Sequence, residues 1–494
     1  MGQVFFTSSL VTAAILAALA VSFAMAGAVH LTKLRSQGYM HIIFYVMLLL
    51  AALPNLLSGR DLTTTELSFL EPAELARPLL LVYVQPLASL FILLVAGERL
   101  MTYWLKRSTG TPLLPGLALA FIVFWAGTVG FTAFLGAHPF VSHDYVYPLL
   151  IGVAATLSTN EESDCAFRAS RNALLLFMLA GLLLIPIQPT WVLDRAYTQG
   201  LLPGIPRVAG LAAHAVLLGL LAQLALLCLL AQPYKHVWLN RFAWATGLAV
   251  LFLAQSKSSW VSFVVCATCI VVVRGSSSFS RRIADPLRPE VGVLSMVVFM
   301  ALLLAMALLL MFGDINHKLS GFFESTEGAQ LVSLTGRDQI WAIAFDEWQR
   351  NPLFGYGLTL WDASFRLSIG MPNATHAHNQ FMDTLSRSGT IGAIALLIYS
   401  VVLLVLSIRY AKASGGLTLA LFLALAIRSL SEVPLYLLGY GAEFITHVLL
   451  LMSLAGMVGV ERHRRAQKIA QLNEGYEGIQ SAGNSLTGSA RLKQ

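Results

Sequence analysis

His376 and His378 stand two residues apart, with Asn379 adjoining, in a polar stretch from Thr335 to Gly392 between two long apolar runs. Imidazole titrates near neutral pH and can take a proton from a hydroxyl, so the pair is a candidate for acid–base work. Two histidines at this spacing could also hold a metal, but no third ligand stands at a recognisable spacing. A purely structural histidine is the remaining reading. The same stretch carries Arg337 and the carboxylates Asp338, Asp346, Glu347 and Asp362. Trp341, Tyr356 and Trp361 could stack on a sugar, or simply pack at a membrane interface.

Four further charges stand where their surroundings do not call for them. Arg207 lies in GIPRVAGLAAH, Lys257 in AQSKSSW, and Arg428 with Glu432 in LAIRSLSEVPLYLL. An ionisable residue in so apolar a stretch is costly, so it is paired or faces a polar cavity. Arg428 and Glu432 have the spacing of a helical ion pair, and any one of these cations alone also reads as an interfacial snorkel or a salt bridge at a helix end. Together they describe a cationic pocket suited to a lipid-linked phosphate or diphosphate. Arginine supplies a planar fork for phosphate oxygens, and lysine a point charge.

The elements that must position these groups are membrane helices. The chain has 494 residues, 57% hydrophobic and only 12% charged, against about 45–50% and 25% for a soluble domain. Its apolar runs do not alternate as barrel strands do, and most match the thickness of a bilayer core, which predicts an all-α polytopic membrane protein. The runs centre on 9–28, 40–58, 79–97, 113–136, 145–158, 172–189, 209–231, 241–255, 258–273, 292–313, 389–408, 416–431 and 433–456, giving about 12–13 spans. The first reads as a retained helix rather than a signal peptide.

Five regions follow: N-terminal helices over 1–208, central helices over 209–313, a folded cap over 314–388, C-terminal helices over 389–460, and a Gly/Ser/Asn-rich tail over 461–494 expected to be disordered. In the cap, WAIAFDEWQR has helical spacing and Asn351-Pro352 should end that helix. Lysine and arginine fall in every odd-numbered connection, which places those in the cytoplasm and the 314–388 cap outside. The net charge of +7 is accounted for by these loops, so no nucleic-acid partner is implied. No acidic D-x-D falls on the outer side, so a divalent-cation clamp for a diphosphate is not expected. Cys266 and Cys269, like Cys165 and Cys228, read as small buried hydrophobes rather than a redox or metal site.

Four pieces resemble a known family. His378-Asn379, nine residues, then Gly389-Thr390-Ile391-Gly392 is similar to a pattern of O-antigen ligases. SLTGRDQIW followed by NPLFGYG and Trp361 resembles the loop signature of that family. AQSKSSW and RSLSE resemble segments of exopolysaccharide polymerases. The chain is thus similar to the superfamily of O-antigen ligases and Wzy-type polysaccharide polymerases, closest to the polymerases. One departure is that Ala215-Val216 stands where the family often has Lys-Asn, which leaves Arg207 and His214 alone to carry any role there.

The resemblance implies a metal-independent glycosyltransferase of the GT-C-like membrane architecture, without cofactor, in the bacterial inner membrane with its site facing the periplasm. Its donor would be a glycan on undecaprenyl diphosphate. The acceptor would be a second lipid-linked repeat unit (a polymerase) or lipid A-core (a ligase), and other polysaccharide-assembly proteins are conceivable partners. On this reading His378 is the base and Asn379 fixes its tautomer. His376 shares that role in second place, and Arg207, Lys257 and Arg337 hold the diphosphate. Glu432 orients Arg428 or binds a sugar hydroxyl. A transporter is the rival reading, but no internal repeat or paired broken helices support it.

Overall fold

The computed structural model describes residues 22–23, 25–32, 38–58, 60–62, 79–105, 114–195, 205–283, 337–371, 374–458 and 460–461. The expected span 292–313, most of the span 9–28, the first part of the cap (314–336) and the tail beyond 461 lie outside the described residues.

The protein is an all-α polytopic membrane protein. In chain order its helices are α1 (Ile43–Leu57), α2 (Leu79–Leu105), α3 (Pro115–Trp125), α4 (Phe131–Leu135), α5 (Val146–Thr156), α6 (Asn160–Leu183), α7 (Pro189–Val192), α8 (Ala215–Ala231), α9 (Val237–Leu253), α10 (Lys257–Ile283), α11 (Arg337–Arg350), α12 (Ala363–Ser368), α13 (Gln380–Ala411) and α14 (Leu417–Ser429). A final apolar helix, α15, runs over Ala442–Val458. Among the described residues, six helices are long and apolar enough to cross a bilayer and four shorter apolar ones accompany them. One antiparallel two-residue pair, β1 (Leu193–Asp194) with β2 (Arg207–Val208), precedes α8.

Charge sorts to the two ends of this bundle. At one end Arg99 of α2 pairs with Glu162 of α6 at 2.7 Å, both buried. Arg171 donates to the Gln232 carbonyl and lies over the Tyr234 ring. Arg274 reaches the carbonyls of Gly415 and Leu230, and Arg409 meets Glu461. These contacts tie the basic ends of α2, α6, α8, α10, α13 and α15 together, as alternating spans require. The expected span 172–189 therefore starts earlier, at Asn160, behind a reciprocal cap between Thr159 and Glu162. Its first two turns look too polar for a span, but Glu162 pairs with Arg99 and Asp164 accepts from Gln232, so two of their three charges find protein partners.

The opposite end is built on a broken helix. Gly389 interrupts α13 with φ 63°, and the segment 352–357 fills the break. Tyr356 N–H donates to the Ser386 carbonyl and Gly357 N–H to the Arg387 carbonyl, at 2.9 and 3.0 Å. In return Thr390 N–H donates to the Pro352 carbonyl and Ile391 N–H to that of Leu353, at 2.8 and 3.2 Å. A kink frees backbone groups that must find partners in an apolar setting, and NPLFGYG supplies them. Only glycine fits here: a Cβ on Gly389 would meet the Leu353 carbonyl oxygen at 2.3 Å, and one on Gly355 the Arg387 carbonyl at 2.5 Å. A π-turn at Ala126–Gly130 joins α3 to α4 beside the break. Its Thr128 carbonyl accepts from Ser388 Oγ at 2.7 Å.

Candidate functional site

α11 ends at Arg350, directly before Asn351-Pro352, and its buried face (Ile340, Ala344) packs with Leu360, Trp361 and Phe365 into a small separate core. This cap core carries the loop 374–379. Ala377 is held from both sides: its N–H donates to Asp383 Oδ1 at 3.0 Å, and its carbonyl accepts from the Trp341 indole at 2.8 Å. Asp383 is fixed in turn by the buried Arg387, whose Nε lies 2.9 Å from Asp383 Oδ2 and whose Nη1 donates to the Leu358 carbonyl. Next along the chain, His378 N–H donates to His376 Nδ1 at 3.0 Å. Asn379 then caps α13, its Oδ1 accepting from Phe381 and Met382 N–H. Between these anchors His378 sits at φ 49°, a left-handed conformation that costs energy for a non-glycine residue and persists only where neighbours impose it.

The pinned loop sets two imidazoles against one carboxylate. His376 Nε2 lies 3.1 Å from Glu432 Oε2, His378 Nδ1 lies 3.9 Å from the same oxygen, and the two rings meet edge to face at 4.3 Å. Glu432 arrives from the turn after α14, whose Leu435 N–H donates to Gln380 Oε1 at 2.8 Å and so fastens that turn to the start of α13. Burial lowers the His378 pKa to about 4, helped by His376 and Arg337 and opposed by Glu432 and Asp383. Burial pushes Glu432 the other way, but the hydrogen bond and charge of His376, with Arg428 and His378, outweigh it and hold the carboxyl near 2. At neutral pH the centre is therefore an ionised carboxylate beside a neutral His378.

Three such ligands within 4.8 Å of one another are a possible metal set. The hydrogen bonds argue against it. A metal-bound histidine normally donates its second ring N–H to an acceptor. His376 Nδ1 instead accepts the His378 backbone N–H, so its proton belongs on Nε2, the nitrogen a metal would need. The trio fits a hydrogen-bonded cluster better than a metal centre.

The remaining expected residues divide into two groups. Arg337 opens α11 and its charge acts on His378. Arg428 ends α14, is 6% exposed, and its Nε is buried without a hydrogen-bond partner. The i,i+4 ion pair open to Arg428 and Glu432 does not form: Arg428 lies 3.8 Å from Glu443 instead, while Glu432 turns to the histidines. Arg207 and Lys257 lie apart from this centre: Arg207 Nε donates to the Ala254 carbonyl in the turn that leads to the exposed Lys257. His214 links the groups. It caps α8 through Nδ1 and lies within reach of the charges of Glu443, Glu432, Arg428 and His376. No contact joins Asn379 to either His378 ring nitrogen; its carbonyl oxygen is spent on the helix cap.

Sequence reasoning did not single out Asp383, Arg387 or Arg60. Arg60 donates to the carbonyls of Trp191, Gly210, Ala212 and Ala213, bracing the segment that carries Arg207 and His214. Asp383 and Arg387 were legible as an i,i+4 pair near the end of the polar stretch. Trp361 is 3% exposed and part of the cap core, while the half-buried Trp341 is tied to the loop through its indole N–H.

The family model described as O-antigen ligase matches residues 242–397. Over those residues the chain is similar to the O-antigen ligase family. The matched segment holds Lys257, Arg337, His376, His378 and Asn379, together with Gly389 and the loop that fills its break. Arg428 and Glu432 lie beyond it and reach the centre only through the fold of α14. A search of curated proteins gave no match.

Proposed function

We propose that this protein is a member of the O-antigen ligase and polysaccharide polymerase superfamily, a glycosyltransferase that polymerises undecaprenyl-diphosphate-linked repeat units at the extracytoplasmic face. The observation that carries the reading is a half-buried neutral histidine facing an ionised carboxylate at 3.9 Å, at the end of the bundle opposite the basic clusters, with Arg337 and Arg428 nearby. By the positive-inside rule that end faces away from the cytoplasm. His378 takes the proton of the acceptor hydroxyl as its oxygen attacks the anomeric carbon. The bond to the diphosphate oxygen breaks and its electron pair leaves with the diphosphate. Arg428, with its free Nε, and Arg337 hold the departing charge, and Arg207 and Lys257 form a second cationic station on the same end. Fixed donors aimed at developing charge are worth on the order of 10²–10³ in rate each, so no metal is required.

The test supplies purified protein with one defined undecaprenyl-diphosphate repeat unit and EDTA. A ladder of longer glycans, lost by about 10²–10⁴-fold in His378→Ala, is the expected result. A product only when lipid A-core is added would make the protein a ligase with the same centre. Silence with both acceptors would overturn the reading.

A further inference from the structure

We propose that Glu432 and His376 are positioning residues for His378: Glu432 accepts His378 Nδ1–H and so leaves Nε2 as the nitrogen that receives the acceptor's proton, while His376 holds Glu432 in place. The inference rests on His378 being the base, as proposed above. It begins from an orphan. His378 Nδ1 is buried with no hydrogen-bond partner, although the side chain as a whole is 28% exposed. The accessible part of the ring therefore lies away from Nδ1. An unpaired buried ring nitrogen costs free energy comparable to a lost hydrogen bond. The acceptor facing it is Glu432 Oε2 at 3.9 Å, a contact too long for a bond, of the kind that tightens when substrate binds.

The surrounding hydrogen bonds choose the tautomers. His376 Nδ1 accepts a backbone N–H, which leaves its proton on Nε2 to donate to Glu432. Glu432 is then an ionised acceptor fixed on one side and open on the side of His378 Nδ1. If the Nδ1 of His378 bears the proton, Nε2 is the basic nitrogen. When Nε2 takes the hydroxyl proton, the imidazolium that forms is paired with the carboxylate already beside it. The proton on Nδ1 stays there, and the proton gained at Nε2 leaves to solvent after the product departs. The other charged groups acting on His378 are Arg337 from α11 and Asp383 from α13, besides His376 and Glu432. Arg337 disfavours the imidazolium and Asp383 is spent on Ala377 and Arg387, which leaves Glu432 as the open anion.

The test measures glycan elongation by Glu432→Gln, His378→Ala and the double variant, with binding of the lipid-linked donor followed separately. Glu432→Gln should lower kcat by about 10²-fold with KM little changed, and should cost almost nothing further in the His378→Ala background. It should also move the acid limb of kcat/KM downward, which a folding defect would not do. His376→Gln keeps a donor near the Nε2 position and should lose roughly tenfold less than His376→Ala. An equal loss from Glu432→Gln with and without His378, or a loss confined to KM, would overturn the inference and assign Glu432 to the substrate. Full activity in His378→Ala would instead overturn the base assignment itself.

Discussion

At His378 the ring's surroundings decide its proton affinity more than its residue type does. Free imidazole gains a proton near pH 6.5, but burial holds this one near 4. The folded protein resists that proton while the unfolded chain accepts it below about 6.5, so stability from this group is complete above that pH. It is lost as pH falls toward 4. Glu432, depressed to about 2, adds a loss that sets in below the ordinary carboxylate range. Thermal unfolding in detergent should show a midpoint falling between pH 6.5 and 4, with a shallower slope in His378→Gln; identical slopes would contradict the depressed value. Catalytically, the base form survives well below neutrality, so an acid limb from His378 belongs near pH 4 rather than 6.5. The histidine pair was legible in the sequence because two imidazoles in a polar loop stand out. Glu432 as their partner was not, because the i,i+4 spacing pointed it at Arg428 and only the turn fastened by Gln380 redirects it.

Among the elements, α13 and the segment 352–357 form one unit, and Gly389 is the residue on which both depend. Alanine there would take a left-handed conformation it disfavours and drive its Cβ into the Leu353 carbonyl. A cost of several kcal/mol is expected, more than the roughly 1 kcal/mol of an ordinary helix Gly/Ala exchange. Gly389→Ala should lower the unfolding midpoint and the elongation rate together, whereas Gly370→Ala, whose Cβ would meet nothing within 4 Å, should leave packing intact and pay only for its positive φ. Both partners of this unit were visible as motifs, Gly389-x-x-Gly392 and NPLFGYG. Their mutual docking was not, because hydrogen bonding between two backbones leaves no pattern of side chains to read. The π-turn at Ala126–Gly130 was equally hidden, since its apolar run looks like any other span.

For the whole molecule, sequence periodicity located the helices well where runs were uniformly apolar, as at α8, α9 and α14. It misplaced the start of α6, where the buried Glu162 is paired with Arg99 of α2 and the buried Arg171 donates to the Gln232 carbonyl. Alternation of basic ends was the most transferable signal, because it depends on charge and not on packing. The segment 205–214 shows the limit of such reading: it is held to the bundle by Arg60, a residue remote in sequence that binds four carbonyls. Arg60→Ala should release that segment and weaken donor binding through Arg207, raising KM more than it lowers kcat. Arg60→Lys, with a single ammonium in place of a fork, should recover only part of the loss. An unchanged KM in both would separate Arg60 from the donor site.

The backbone exchange between Pro352–Gly357 and Ser386–Ile391 also constrains traffic. Four main-chain hydrogen bonds splint the outer cover to a membrane-embedded rod, so that part of the cover cannot swing like a door without unravelling the rod itself. For the polymerase proposed above, a lengthening glycan would pass a rim that is fixed at 352–357.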